Sequence, residues 1–75
     1  MILNENNQYS LAINDYSHAI KLDGNYWKAY FYRACCYEKT GNYEDAINDL
    51  NAGVKICDDD GFKNLFLSKL KDLSK

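Results

Sequence analysis

The sequence predicts an all-α protein built from antiparallel helix-turn-helix repeats. Three observations support this class: one segment occurs twice, at residues 9–22 and at residues 43–56, apolar residues recur with helical spacing in four segments, and the chain has no proline and only four glycines. Helical repeats of this kind bury their apolar faces against their neighbours. The expected architecture is therefore an α-solenoid.

The repeat is found by aligning residues 9–22 with residues 43–56. Six of the 14 aligned positions are identical, among them Asp15 with Asp49, and four more keep size or apolarity. Average residue usage gives about one identity by chance. Within each copy the apolar residues fall at i, i+3, i+4 and i+7, which places them on one face of a helix. The two segments are therefore predicted to be equivalent amphipathic helices, with Asn42 as the N-cap of the second.

Two further helices are predicted, one between the copies and one after them. Residues 26–39 follow Asn25, an expected N-cap, and end before Gly41, which we expect to adopt the left-handed conformation that terminates helices. Residues 62–73 follow an Asp-Asp-Asp-Gly run, which we expect to be solvated and to cap this last helix. Residues 1–6 are expected to add a frayed turn. The connections are so short that neighbouring helices must run antiparallel.

Composition and charge exclude several classes of function. The 75 residues are 47% hydrophobic and 27% charged, which is typical of a folded domain. A net charge of −2 does not favour nucleic-acid binding. No apolar run approaches the roughly 20 residues that cross a bilayer, and the N-terminal residues lack the pattern of a signal peptide. We therefore expect one cytoplasmic domain with no nucleic-acid or membrane partner.

The residues that carry most enzyme and metal chemistry are scarce. The cysteines, Cys35, Cys36 and Cys57, are odd in number and form no Cys-x-x-Cys pair, so reduced thiols in an intracellular protein are expected. His18 is the single histidine and is expected to be exposed. Since no nucleophile stands with a base and no phosphate loop occurs, the sequence indicates neither an enzyme nor a bound metal or cofactor.

Residues 27–47 resemble the tetratricopeptide repeat, a family of helix-turn-helix units with a period of about 34 residues. Seven residues stand at its signature positions: Tyr30, Arg33, Ala34, Tyr37, Gly41, Tyr43 and Ala46. The two alanines are expected to let the paired helices approach closely. The proline that normally closes each repeat is missing, and Gly24 and Asp58 stand in its place.

This resemblance implies a partial first repeat at residues 1–24, a full repeat at 25–60 and a capping helix at 61–75. The capping helix is expected to cover the last repeat and to present a polar outer face. The helix at residues 9–22 should then keep an exposed apolar flank. We therefore expect either a fragment of a longer array or a small protein that forms homo-oligomers.

The resemblance also implies a scaffold or adaptor that binds a peptide or a partner protein on its concave face. That face is lined by the first helix of each repeat, which here gives the candidate partner-binding residues Lys28, Phe31, Tyr32, Cys35, Glu38 and Lys39. The first four share one helix face by spacing alone, and aromatics beside a lysine suit an acidic peptide. The alternative to partner binding is that Phe31 and Tyr32 pack against the capping helix or a missing repeat. Arg33 follows Tyr32 and lies beside this helix face, and its guanidinium is expected to stay solvated.

A narrower resemblance is to tetratricopeptide cochaperones, which grip the carboxylates of chaperone C-terminal tails with a clamp of lysines, asparagines and an arginine. Residues 26–34 look like the third repeat of such domains, and Lys28 matches one clamp lysine. Tyr32 stands where the clamp arginine belongs, and a tyrosine does not reproduce bidentate carboxylate recognition. A complete clamp is therefore excluded, and we expect a chaperone tail to bind this chain only weakly.

The charge of the last segment suggests an alternative of another class. Residues 61–75 carry four lysines and one aspartate, whereas residues 1–60 carry five basic and ten acidic residues. A basic amphipathic helix suits an anionic membrane or a partner groove. Because Lys69 falls near the apolar face, we favour packing of this helix on residues 43–56 through Phe62, Phe66, Leu70 and Leu73.

Overall fold

A computed structural model describes residues 5–74 of the chain, with side chains from residue 8 onward. These residues form four helices joined by short turns: α1 (Glu5–Leu22), α2 (Trp27–Lys39), α3 (Tyr43–Ile56) and α4 (Asp60–Leu73). Each helix packs against the next in chain order. The predicted all-α class and helix-turn-helix solenoid are confirmed. Of the turn expected at residues 1–6, the last two residues belong to α1 and the others lie outside the described part.

The starts of α2 and α3 differ in detail from the expected caps. α2 begins at Trp27 with Tyr26 at the N-cap, so the expected cap at Asn25 is wrong by one residue. The reason is a local turn in which the Asn25 N–H donates to the carboxylate of Asp23 at 3.0 Å. Asn42 does occupy the N-cap position of α3, but its side chain caps nothing there and donates to the Thr40 hydroxyl instead.

The turns before α3 and α4 behave as predicted. Gly41 has a φ of 83°, the left-handed conformation expected at the end of α2. Asp59 is the N-cap of α4 and accepts the Phe62 N–H at 3.1 Å. Asp58 accepts the indole N–H of Trp27 at 3.1 Å, which ties this exposed turn to the start of α2.

A small core joins α2, α3 and α4. Ala34 is 1% exposed and Ala46 is 0% exposed, which agrees with the close helix contact predicted for these alanines. Phe66 of α4 is also fully buried, and a Cβ added at Gly53 of α3 would lie 2.6 Å from its ring. The absence of a side chain at Gly53 therefore lets α4 lie directly on α3. This is the packing of the last helix that the sequence analysis favoured. No helix within residues 5–74 has the length and apolarity needed to cross a membrane.

Candidate functional site

The last helix divides the six predicted partner-binding residues into two sets. Phe31 and Glu38 contact α4 directly, whereas the other four, Lys28, Tyr32, Cys35 and Lys39, lie along the adjacent face of α2, at whose start the Lys28 ammonium is 6.0 Å from the centroid of the Phe62 ring of α4. Phe31 is 8% exposed, and its ring meets the rings of Phe62 and Phe66 edge-on at 5.5 and 5.1 Å. Phe31 is therefore a core residue that packs against the last helix, which was the alternative to partner binding. It has little surface left for a partner.

Glu38 is held by an ion pair that links α2 to α4. The Lys69 ammonium donates to Glu38 Oε1 at 2.7 Å, and both side chains are about one-third exposed. This hydrogen bond raises the pKa of Lys69 above its ordinary value. The pair neutralises Glu38, so the neighbouring lysines of α2 are left as the uncompensated charges on this side.

The four remaining residues form the α2 stripe, defined as Lys28, Tyr32, Cys35 and Lys39. They fall at i, i+4, i+7 and i+11 and so span about 16 Å of one helix face. Tyr32 is 41% exposed, and its ring centroid is 5.9 Å from that of Tyr16 on α1. The Lys28 ammonium lies 5.7 Å from the centroid of the Trp27 ring. The stripe therefore presents one aromatic ring between two exposed lysines.

The thiols of α2 are packing groups rather than nucleophiles. Cys35 is half-buried against the core, Cys36 is buried, and both are free, as is Cys57. Burial raises the pKa of Cys35 and of Cys36 above the ordinary value, so both are neutral thiols at physiological pH. Cys35 thus adds a small apolar patch to the middle of the α2 stripe.

A polar network that the sequence did not reveal crosses three helices. The Arg33 guanidinium donates two hydrogen bonds to Asp49 of α3, at 2.7 and 2.6 Å, and a third to the Ser17 hydroxyl of α1 at 2.9 Å. Ser17 in turn donates to the carbonyl of Ile13. The expectation of a solvated guanidinium is wrong, because the side chain is 18% exposed and its charge is paired with a buried carboxylate. The available signal was Asp49 itself, an acidic residue among the apolar positions of α3.

The arrangement suits a surface ligand rather than a small molecule. Residues 5–74 enclose no pocket, and no three His, Cys, Asp or Glu residues among them are placed to hold a metal ion. His18 is exposed on α1, as expected. The chemistry offered by the described chain is therefore that of an open helix face with an aromatic centre and cationic ends.

Comparison with known proteins agrees with the internal repeat. A family model described as a tetratricopeptide repeat matches residues 15–48. The "DnaJ homolog subfamily C member 7 homolog" of Dictyostelium discoideum is 44% identical over 55 residues, which are 73% of this chain and 10% of that protein. "DnaJ homolog subfamily C member 7" of Homo sapiens is 53% identical over 38 residues, which are 51% of this chain and 8% of that protein. The matched part thus spans about a tenth of the length of these relatives. No solved structure gives a significant match.

Proposed function

This chain carries a tetratricopeptide repeat, and from that premise we propose that it is a scaffold or adaptor whose α2 stripe binds an extended peptide of a partner protein. Such repeats are non-enzymatic protein-interaction modules. The observation that carries the proposal is the exposure of Tyr32, which presents 41% of its surface on a helix that is otherwise well packed. Exposed aromatic rings on rigid elements are frequent anchors of protein interfaces.

The charge around Tyr32 selects the class of peptide. Lys28 and Lys39 lie at the two ends of the stripe, and the carboxylate of Glu38 is already engaged by Lys69. An acidic peptide would place carboxylates near these lysines and an apolar side chain against the Tyr32 ring and Cys35. The two lysines lie about 16 Å apart along the helix, a distance that an extended peptide of about five residues spans.

A second candidate is a cochaperone-type module. It is favoured by relatives that are named DnaJ homologues and by Lys28, which matches a clamp lysine of chaperone-tail binders. Tyr32 at the position of the clamp arginine argues for weak binding of a chaperone tail. A cytoplasmic location suits either candidate, since the three cysteines are free thiols.

Calorimetric titration of the full chain tests both candidates. The probes are short acidic peptides with one central aromatic or aliphatic residue, prepared with amidated or free C-termini, and a chaperone C-terminal tail peptide. We expect an acidic peptide to bind and Tyr32→Ala to weaken it about tenfold or more, a loss of about 1.4 kcal/mol. The matched control is Tyr43→Ala, which removes a tyrosine that is 53% exposed on α3.

The outcomes separate the candidates. An affinity unchanged by Tyr32→Ala, or weakened equally by Tyr43→Ala, would overturn the α2 stripe as the binding site, as would failure of every acidic peptide to bind. Low-micromolar binding of the chaperone tail alone, lost on Lys28→Ala, would favour the cochaperone-type module over the general acidic-peptide site.

A further inference from the structure

Two aspartates at equivalent repeat positions have opposite surroundings. Asp49 of α3 is 6% exposed and is paired with Arg33 of α2. Asp15 of α1, its equivalent in the first copy of the repeated segment, is exposed and makes no hydrogen bond or ion pair with any described side chain. The difference arises because α2 covers this face of α3, whereas nothing within residues 5–74 covers the same face of α1.

The uncovered surface of α1 is more than one residue wide. Leu11 and Leu22, which are 66% and 82% exposed, lie at its edge on the same side as Asp15. Ala12, the equivalent of the fully buried Ala46, is only half-buried. We call this surface the open face of α1, defined by Leu11, Ala12, Asp15 and Leu22.

The outer face of α4 matches the surface of α2 that covers α3. In the register that aligns Asp15 with Asp49, four residues of α2 that lie toward α3, Tyr30, Arg33, Ala34 and Tyr37, correspond to Asn64, Leu67, Ser68 and Lys71 of α4. On α4 all four are exposed, and Leu67 keeps 53% of its surface. The polar outer face expected of a capping helix is thus interrupted at its centre by a leucine. We call these four residues the outer face of α4.

We propose that α4 of one copy of this chain docks on α1 of a second copy, in the way that α2 docks on α3 within a copy. In this register Ser68 meets Ala12 as a pair of small residues, like Ala34 and Ala46. Leu67 takes the place of the Arg33 stem, and the ammonium of Lys71, one turn further along α4, lies within reach of Asp15.

One pair of opposite charges faces across the contact. Lys71 of the outer face brings a positive charge to an interface where α1 offers the unpaired carboxylate of Asp15. Lys69, another lysine of α4, is engaged by Glu38 within its own copy and does not take part. Lys71 of this basic segment thus gains an acidic partner, which is Asp15 on the first helix of the next copy.

The two faces are different surfaces, so the contact is heterologous. Each copy then leaves one outer face of α4 and one open face of α1 free, and further copies add at both ends. Within the chain, α2 is followed by α3, and across the contact their repeat equivalents α4 and α1 follow in the same order. This assembly is separate from the α2 stripe, and its test does not depend on a peptide ligand.

Sedimentation equilibrium on the full chain, from about 10 μM to about 1 mM, tests the proposal. We expect the wild-type average mass to rise with concentration beyond that of a dimer. Asp15→Lys, which blocks α1, and Ser68→Arg, which blocks α4, should each be monomeric. An equimolar mixture of the two should give a 1:1 dimer that grows no further, because each variant keeps the face that the other needs. Asn51→Arg, at an exposed position of α3, is the matched control and should associate like the wild type.

Both substituted positions are exposed, so we expect the variants to fold. Circular dichroism melts check this. A wild-type chain that stays monomeric over the whole range would overturn the proposal. So would a single blocked variant that still dimerises, because that result requires like faces to meet. Two monomeric variants that remain monomeric when mixed would equally reject the pairing of α4 with α1.

Discussion

Arg33 on α2 and Asp49 on α3 are joined by two parallel hydrogen bonds in a site where the carboxylate is almost inaccessible to water. The third donor of the same guanidinium reaches Ser17, so one charged group fixes three successive helices relative to one another. Removing either charge leaves the other without its partner in a poorly solvated place, which is costly.

Asp49→Ala is expected to lower the free energy of unfolding by about 3 kcal/mol, because the Arg33 guanidinium then lacks its partner. Urea denaturation of dilute protein measures the change. Asp15→Ala is the matched control, since it removes the same side chain at the equivalent but exposed repeat position, and its effect should stay within about 0.5 kcal/mol. Equal effects of the two substitutions would contradict the distinction between paired and open aspartates.

Replacing both members of the pair gives a different result. Arg33→Leu combined with Asp49→Leu should recover much of the stability lost in Asp49→Ala, because apolar residues of similar volume often substitute for a buried ion pair at little cost. The same denaturation experiment measures this recovery. A double variant less stable than Asp49→Ala would show that the network contributes net stability beyond avoiding an unpaired charge.

The ion pair between Glu38 and Lys69 is expected to matter much less. Both side chains are about one-third exposed, so solvent screens their attraction. Glu38→Gln should lower the free energy of unfolding by no more than about 1 kcal/mol, and the loss should shrink further in high salt. Melts at low and high ionic strength measure it. A loss as large as that of Asp49→Ala would show that α4 depends on this pair for its position.

Gly53→Ala is expected to destabilise the contact between α3 and α4. The added Cβ would lie 2.6 Å from the Phe66 ring and 3.0 Å from the Cβ of Tyr30, so the fully buried Phe66 ring or the helix that carries it has to move. Overpacking of this kind costs about 1–3 kcal/mol, of which the better helix propensity of alanine offsets at most about 1 kcal/mol. Gly24→Ala is the control, because nothing lies within 4 Å of its added Cβ, and thermal melts of the two should differ accordingly.

Stability is expected to fall at alkaline pH. Burial raises the pKa of the Cys35 and Cys36 thiols above 9.0 and that of the Tyr37 hydroxyl above 10.0. A group whose pKa is higher in the folded state holds its proton more tightly there, so its contribution is complete below the unfolded pKa and is lost as the pH rises through the folded value. The free energy of unfolding should therefore stay level up to about pH 9 and decline above it.

The control for this decline is the double variant Cys35→Ser with Cys36→Ser. Without the thiols, the fall should begin about one pH unit higher, where the tyrosine hydroxyls of the unfolded chain start to ionise while the half-buried Tyr37 hydroxyl still holds its proton. Urea titrations at a series of alkaline pH values give the comparison. An unchanged onset would assign the alkaline loss to groups other than these two thiols.

The features that the sequence predicted depend on local spacing. The helices follow from apolar residues at helical intervals, and the equivalence of α1 and α3 follows from the segment that occurs twice. The left-handed Gly41 and the buried Ala34 follow from backbone freedom and side-chain size at single positions. All of these features can be inferred from the order and spacing of residues along the chain.

The features that were missed depend on how helices meet. Arg33 and Asp49 are 16 residues apart on different helices, so no helical period brings them together. The split of the candidate partner-binding residues depends on where α4 lies, which is set by the fit of Phe66 against Gly53. The cap of α2 was displaced by one residue because the Asp23 side chain closes its own turn.

The first helix lies at one end of the row of described helices and packs chiefly on α2. From residue 8 to residue 22, α1 contributes no fully buried side chain, and its polar link to α2 is the Ser17 hydroxyl. Its amide hydrogens should therefore exchange with deuterated solvent through a local opening that leaves α2, α3 and α4 intact. Any partner that covers α1 slows that exchange, so the exchange rate of the α1 amides reports assembly.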